Sequence, residues 1–488
     1  MNRLIPFCLL ILLLIGCESD FSFVNFQPPK PATPPFTLGI TKIGDFLDPG
    51  SSNTLQAATQ DKEGNIYSFL NFNGSLDGVT TGKEDVLIQK FTHDGELLWQ
   101  RHINSSLEMI QDNSEDELPS IIVWSEKDKA VYFVASTQSS LIENNTTKEF
   151  DIFYGKISHT GEILWIKHLG ETSVQDSSQD ERGLHLIIPP DGYPLISFQT
   201  KGHLFETNAG GDDVGIFKIN PTTGEIVRAR QLGADSLLAY GNAKGITVDG
   251  SQDERTIEGN FDLDGDKAVL PIRTKSSLIE SINSNTNYIA YAVFTKDLEV
   301  EIIKHLGLES YQEWKDKEQF TTGTIDLDNQ VRSVVVLGPK DYLIVGKTRG
   351  NLADISAGID DIFFIRYQNH KVKFIKQYGQ SILPQAIHSE QVRQIFKDKD
   401  GNIYFNGHTR SSIFTSGVTS YSPYIIKIDK NANILAAYQL SIDSSEEIDF
   451  DVGNVTSGNN FFIAEDGIIL NLNEGTNKES YLWKLPKL

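Results

Sequence analysis

EDVLIQKFTHDGELLWQRHI (84–103) and FDIFYGKISHTGEILWIKHLG (150–170) are two copies of one unit. Each holds an apolar run ending in a basic residue, a Gly turn, a second apolar run, and a close on His-Ile or His-Leu. The unit returns at 212–233, 287–307, 360–379 and 421–440. Its closing residues are Ile103, Leu169, Leu232, Leu306, Tyr378 and Leu440, a period of 62–74 residues. A fixed period of this size is the mark of a repeat architecture. The basic position is Lys90, Lys156, Lys218, Arg366 and Lys427, with Val293 the exception. Five residues earlier stand Asp85, Asp151, Asp213 and Asp361, replaced by Tyr288 and Ser422 in the other two copies.

Each period carries further runs of β-branched and aromatic residues behind Asp- or Gly-containing turns, such as Lys399-Asp400-Gly401 before Ile403-Tyr404. That is strand and hairpin chemistry, and it predicts four strands per unit. Runs such as IIVW and IFFIRY are apolar at successive positions, as strands covered on both faces are. Sheets stacked face to face around an axis do this. The chain's last segment, ESYLWKLPKL (479–488), places Glu479 and Lys484 at the repeat's Asp and basic positions and stops one strand short. FTLGITKIG (36–44) supplies that strand from the other end. The expected fold is all-β: a seven-bladed propeller over 36–488, of four-stranded antiparallel blades, closed by the N-terminal strand. The Asp-to-Lys spacing, Gly turn and Leu-Trp of 85–99 and 151–165 resemble the seven-bladed bacterial β-propeller repeat family.

Residues 1–17, MNRLIPFCLLILLLIGC, are a short basic start and an apolar run of about 12 residues, too short to span a bilayer. Leu14-Ile15-Gly16-Cys17 resembles the lipobox of bacterial lipoproteins. That resemblance implies cleavage between Gly16 and Cys17 and a diacylglyceryl group on the Cys17 thiol. The chain then divides into a signal peptide (1–16), a lipidated Pro-rich tether (17–35) and the propeller. The expected address is the bacterial cell envelope, at the outer membrane, held by covalent lipid.

Acidic residues outnumber Lys plus Arg by 66 to 43, a net charge of −23, which argues against nucleic acid as a partner. The two cysteines lie in the leader and the lipobox, so thiol catalysis and cysteine-zinc sites are excluded from the mature body. No His-Glu-x-x-His or Gly-x-Ser-x-Gly motif is present, and no catalytic constellation is assigned. Asp262, Asp264 and Asp266 alternate as Ca²⁺ ligands can, but Arg273 stands where a closing bidentate acid is needed. His102, His168 and His305 share one repeat position with Gln231, Gln377 and Gln439, which points to a hydrogen-bonding role.

The leading functional reading is a non-enzymatic binding scaffold for a protein or glycan. One alternative is a carbohydrate-active lyase or hydrolase with its site over the channel; another is a subunit of an envelope assembly complex. The irregular blade crossings at 104–118, 170–182 and 308–330 are the expected binding loops, with Asp116, Glu117, Tyr311 and Trp314 as exposed contact residues.

Overall fold

The fold is that of a computed structural model, which describes residues 40–43, 51–76, 79–80, 83–103, 115–141, 148–169, 179–248, 259–282, 287–325, 328–414, 422–439, 450–451, 461–463, 468–474 and 480–485. Gly16, Cys17, the tether, Glu479 and most of the 104–118 and 170–182 crossings lie outside them. Six sheets are four-stranded antiparallel blades. Their third strands, where the repeat was recognised, are Asp85–Phe91 (blade I), Asp151–Ser158 (II), Asp213–Ile219 (III), Tyr288–Phe294 (IV), Asp361–Gln368 (V) and Ser422–Ile428 (VI).

The expectation of seven equal blades is corrected: among the described residues there are six. The remaining sheet has a different make-up, because two short segments, Phe450–Asp451 and Phe461–Ile463, divide one edge of Ile468–Glu474 between them. On its other side Ile468–Glu474 pairs with Ser480–Leu485. Ser480–Leu485 in turn pairs with Ile40–Ile43, in the register Ile40 to Trp483 and Ile43 to Ser480. The two ends of the chain therefore meet in one sheet. The Ser480 hydroxyl accepts a hydrogen bond of 2.8 Å from the Leu55 amide of blade I.

Second and third strands are apolar on both faces because blades cover one another. One cluster joins Phe69 and Ile88 of blade I to Phe133 and Phe153 of blade II. Others join Tyr154 to Phe217, Ile216 to Leu270, Tyr291 to Tyr342, and Phe364 to Phe405 across the successive interfaces. Trp99 explains the Leu-Trp signature. Its Nε1 donates to the His159 carbonyl in the next blade's hairpin (3.0 Å), and its ring lies over Gly161, where a Cβ would come within 2.9 Å.

The repeat Asp and Lys do not pair with each other; they stitch opposite ends of the third strand. At one end, His102 Nε2 meets Asp85 at 2.7 Å and His168 Nε2 meets Asp151 at 3.2 Å. Gln231 and Gln377 donate to Asp213 and Asp361 at 3.0 and 2.7 Å. This is the hydrogen-bonding role expected of the shared His/Gln position. In blade IV Tyr288 replaces the Asp, neither ring nitrogen of His305 finds a hydrogen-bond partner, and burial lowers its pKa to about 4. At the other end, Lys90 and Lys156 reach carbonyls of the next blade, His159 O at 3.2 Å and Pro221 O at 2.9 Å.

The Asp end also faces a buried acid that opens the next blade's first strand. Glu117 lies against Asp85, and Glu390 lies near Asp361. Burial raises Glu117 well above the carboxylate range, reinforced by its hydrogen bond to Asp85. Burial raises Glu390 to about 8, with Asp361 and Asp360 adding to it against the Ser411 and Thr409 hydroxyls. A raised folded-state pKa means the folded chain holds protons that the unfolded chain releases, so this stabilisation is complete below the ordinary carboxylate pKa and lost as pH rises through about 8. The urea midpoint should therefore fall between pH 7 and pH 9, and Glu390→Gln should flatten that slope; an unchanged slope in the variant would remove Glu390 as its source.

Candidate functional site

The first strand of each blade is innermost. Side chains from the first strands of blades II, III, V and VI, with Asn260 to Asp262 of blade IV, line one central cavity of about 370 Å³. In five blades that strand carries a β-bulge at the same level, beside pairs Leu55–Leu70, Pro119–Ala135, Gly183–Phe198, Val331–Gly346 and Val392–Gly407. A bulge inserts one unpaired residue and re-aims its side chain. The inserted residues are Gln56, Ser120, Leu184, Arg332 and Arg393. Only blades V and VI insert arginine, and only there is the residue opposite a glycine. A Cβ on Gly346 would lie 2.3 Å from the Gln330 carbonyl oxygen, and one on Gly407 would lie 1.8 Å from that of Gln391.

The second strand continues past each glycine with a basic or imidazole residue, Thr and Arg: Lys347-Thr348-Arg349 in blade V and His408-Thr409-Arg410 in blade VI. Lys347 stands opposite Gln330, and His408 opposite Gln391. Asp360 sits at the junction of the two blades. It accepts from Lys347 Nζ (3.3 Å), Arg349 Nε (3.1 Å), Ser389 Oγ (2.5 Å) and Gln391 Nε2 (3.1 Å). Burial works against its charge, but these donors prevail and hold it below the usual carboxylate range. Burial, then the nearby charges of Arg393, Lys347, Arg332 and Arg410, push His408 down to about 3 and keep it neutral. Five cations thus gather at one end of two neighbouring inner strands, in a chain of net charge −23. Such a cluster is suited to anions, since guanidinium groups take carboxylate or sulfate oxygens in pairs.

The residues expected from sequence lie elsewhere. Asp262 and Asp264 are on blade IV's first strand, Asp262–Asp264, and their carboxylates hydrogen-bond to blade V. Asp262 accepts from the Val336 amide at 2.7 Å, and Asp264 from the Lys340 amide at 2.9 Å and the Tyr342 hydroxyl at 2.8 Å. Asp266 is exposed in the hairpin that follows. Among the described residues no three His, Cys, Asp or Glu side chains gather as a metal site.

The expected exposed contacts are corrected. Glu117 is fully buried and accepts from Thr137 Oγ1 at 2.7 Å; Asp116 is half-buried, its side chain accepting from the Glu84 amide. Tyr311 and Trp314 are buried because the 308–330 crossing contains a helix, α1 (Leu308–Glu318). Their i, i+3 spacing sets them on its inner face, where the Tyr311 hydroxyl donates to the Leu352 carbonyl at 2.6 Å. Glu280 holds the start of this helix, accepting from the Gly307 and Ser310 amides at 3.0 Å each.

No family model matches the chain, and no curated protein does. Solved structures do. A PL25 ulvan lyase bound to -[GlcA(1-4)Rha3S]- is similar over 92% of this chain and 96% of its own, with a TM-score of 0.50 and 9% identity. The β-propeller domain of the Trilobed protease from Pyrococcus furiosus is similar over 88% and 95%, with a TM-score of 0.42 and 12% identity. The microbial sialidase Hz136 gives 0.42 and 9%; this chain covers 89% of itself and 66% of that enzyme. At these identities the likeness shows the fold: the chain is a β-propeller.

Gly407→Ala should force the Gln391 carbonyl away and shift the Arg393 bulge, costing about 1–3 kcal/mol as overpacking does and weakening anion binding. Gly338→Ala, with nothing within 4 Å of its Cβ, is the control; equal melting temperatures for the two variants would show that the bulge does not depend on the glycine.

Proposed function

We propose that this propeller is a carbohydrate-active protein that takes an anionic saccharide at the cationic mouth between blades V and VI. The observation that carries the reading is the pair of bulged arginines, Arg332 and Arg393, set among Lys347, Arg349 and Arg410 on an otherwise acidic body. The net charge of −23 disfavours a polyanion over the body as a whole, so a local cationic cluster sets where one can bind. The ulvan lyase of the same fold, bound to a uronate-containing unit, supports the ligand class.

The reaction that suits the site is elimination. Hydrolysis of a glycoside ordinarily needs two carboxyl groups flanking the bond. Here Asp360 is tied to four donors, Asp361 accepts from Gln377 and the Ala357 and Gly358 amides, and Glu390 accepts from the Thr409 and Ser411 hydroxyls. Elimination needs cations that neutralise a uronate carboxylate, which acidifies the neighbouring C–H, and a neutral base. His408 takes the C5 proton as the C4–O bond breaks and the C4=C5 double bond forms, the departing oxygen taking a proton from water; burial and then the cations keep its imidazole neutral in the free protein, and a bound anion that cancels their charge raises its basicity. Arg393→Ala should weaken binding of polygalacturonate about tenfold or more, with a loss that shrinks as salt rises. His408→Gln should leave affinity within a few-fold and abolish formation of unsaturated uronate ends. Wild-type binding without unsaturated product would make the protein a binding scaffold instead.

The same reading places the propeller in the envelope as a lipoprotein. The Leu-Ile-Gly-Cys motif at 14–17 supports the lipid anchor, and among the described residues no helix is long and apolar enough to cross a membrane. Cys17→Ser should move the protein from the membrane fraction to the soluble one; a variant that stays with membranes would rule out the thiol as the anchor.

A further inference from the structure

We infer that the mouth holds two tandem anion subsites, one per blade, which together read two charges along one saccharide chain. This deepens the reading of the mouth as an anionic-saccharide site and rests on it. The observation is a duplication within the chain. Blade V carries Gln330-Val331-Arg332 on its first strand and Gly346-Lys347-Thr348-Arg349 on its second; blade VI carries Gln391-Val392-Arg393 and Gly407-His408-Thr409-Arg410. Both copies share the bulge, the glycine beneath it and the Gln facing the residue after the glycine.

A recent duplication of a whole blade would leave likeness throughout, and the third strands do not show it. DIFFIRYQ (361–368) and SPYIIKI (422–428) differ at the repeat Asp position, Asp361 against Ser422, and at the basic position, Arg366 against Lys427. The Thr and the residue after it recur in other blades, as Thr137, Thr200-Lys201 and Thr274-Lys275, so what sets blades V and VI apart among the described blades is the glycine and the bulged Gln-Val-Arg. In the other bulged blades the inserted residue is Gln56, Ser120 or Leu184, none of them cationic, and the facing position is Leu70, Ala135 or Phe198. Two equal arginines on adjacent blades therefore form a pair with a set spacing.

That spacing follows from the architecture. Blades converge toward the axis, and residues of the two first strands, Asn329–Gly338 and Gln391–Lys397, come within 8 Å of each other, so Arg332 and Arg393, at equivalent positions on them, lie within the span of one short oligosaccharide. A polysaccharide charged on every second ring, or on every ring, meets both arginines at once. A single uronate meets only one. Asp360, bound from blade V by Lys347 and Arg349 and from blade VI by Ser389 and Gln391, fixes one subsite against the other. Linking two binding events in one ligand multiplies affinity through effective concentration, provided the spacing matches.

The test is a titration of the full chain with galacturonate, and with its trimer and tetramer. The tetramer should bind at least tenfold tighter than the monomer. Arg332→Ala and Arg393→Ala should each bring the tetramer close to monomer affinity while moving the monomer itself by no more than about threefold, because one subsite survives. Arg332→Lys, which keeps the charge, should fall between wild type and Arg332→Ala and controls for folding. A tetramer no more than about twofold tighter than the monomer, or a single variant that abolishes monomer binding, would overturn the tandem arrangement and leave the single-site reading standing. Binding of no uronate or sulfated oligosaccharide would overturn both. Sulfated disaccharides in parallel decide whether carboxylate or sulfate is the preferred charge, and equal capture of polyglutamate would reassign the mouth to acidic peptides.

Discussion

Every blade of this protein is apolar on both faces, and the packing of one blade on the next is the contact on which everything else depends. The third strand of blade IV, Tyr288–Phe294, is buried at all seven positions. No isolated four-stranded sheet can keep such a strand from water on both sides, so the blades are stable only as a stack. Six clusters span the interfaces in turn, with Ile469 of the terminal sheet packed against blade I. The pairing of Ile40–Ile43 with Ser480–Leu485 belongs to the same requirement, since it gives a partner to an edge that would otherwise stand open.

Stacking buries the strand ends as well as the strand faces, and the polar repeat positions exist to satisfy them. An unpaired buried polar group costs about 1–3 kcal/mol. Asp85 answers His102, Asp213 answers Gln231, and Asp361 answers Gln377. Blade IV shows the rule by breaking it: with Tyr288 in place of the Asp, His305 is buried without a partner and stays neutral. Lys90 and Lys156 do the corresponding work at the opposite end, each carrying its charge to a carbonyl on the next blade. The spaced Asp and Lys of the repeat are two separate stitches, although they look like one pair in the sequence.

What could be read in advance followed from periodicity. Strand chemistry, the four-strand unit and the pairing of the chain's two ends were all visible in short stretches with a constant spacing. The number of equal blades was not, because Phe450–Asp451 and Phe461–Ile463 share a place that one strand fills elsewhere. The crossing at 308–330 reads as an exposed loop from its irregular length. Tyr311 and Trp314 stand three apart within that crossing, which is the spacing of a helix face, and burial follows from it. Glu117 was misjudged for a related reason: an acid next to an irregular loop looks solvated until a neighbouring blade is placed against it.

The mouth lies in the part of each blade that the recurring third- and fourth-strand unit leaves out. Gln-Val-Arg and Gly-Lys/His-Thr-Arg sit on first and second strands, while the recurring unit was defined on third and fourth strands. Aligning 329–349 with 390–410 exposes them at once. They mark a place where the repeat departs from itself in a concerted way, with a glycine making room, a bulge turning one residue out of register and an arginine filling the position. A propeller's stacked faces tolerate little variation, since each side chain there is shared with another blade. At the inner strand's bulge the inserted residue varies from Gln56 to Ser120, Leu184, Arg332 and Arg393 while the pairing on either side holds, so recognition can change there without unpacking the ring.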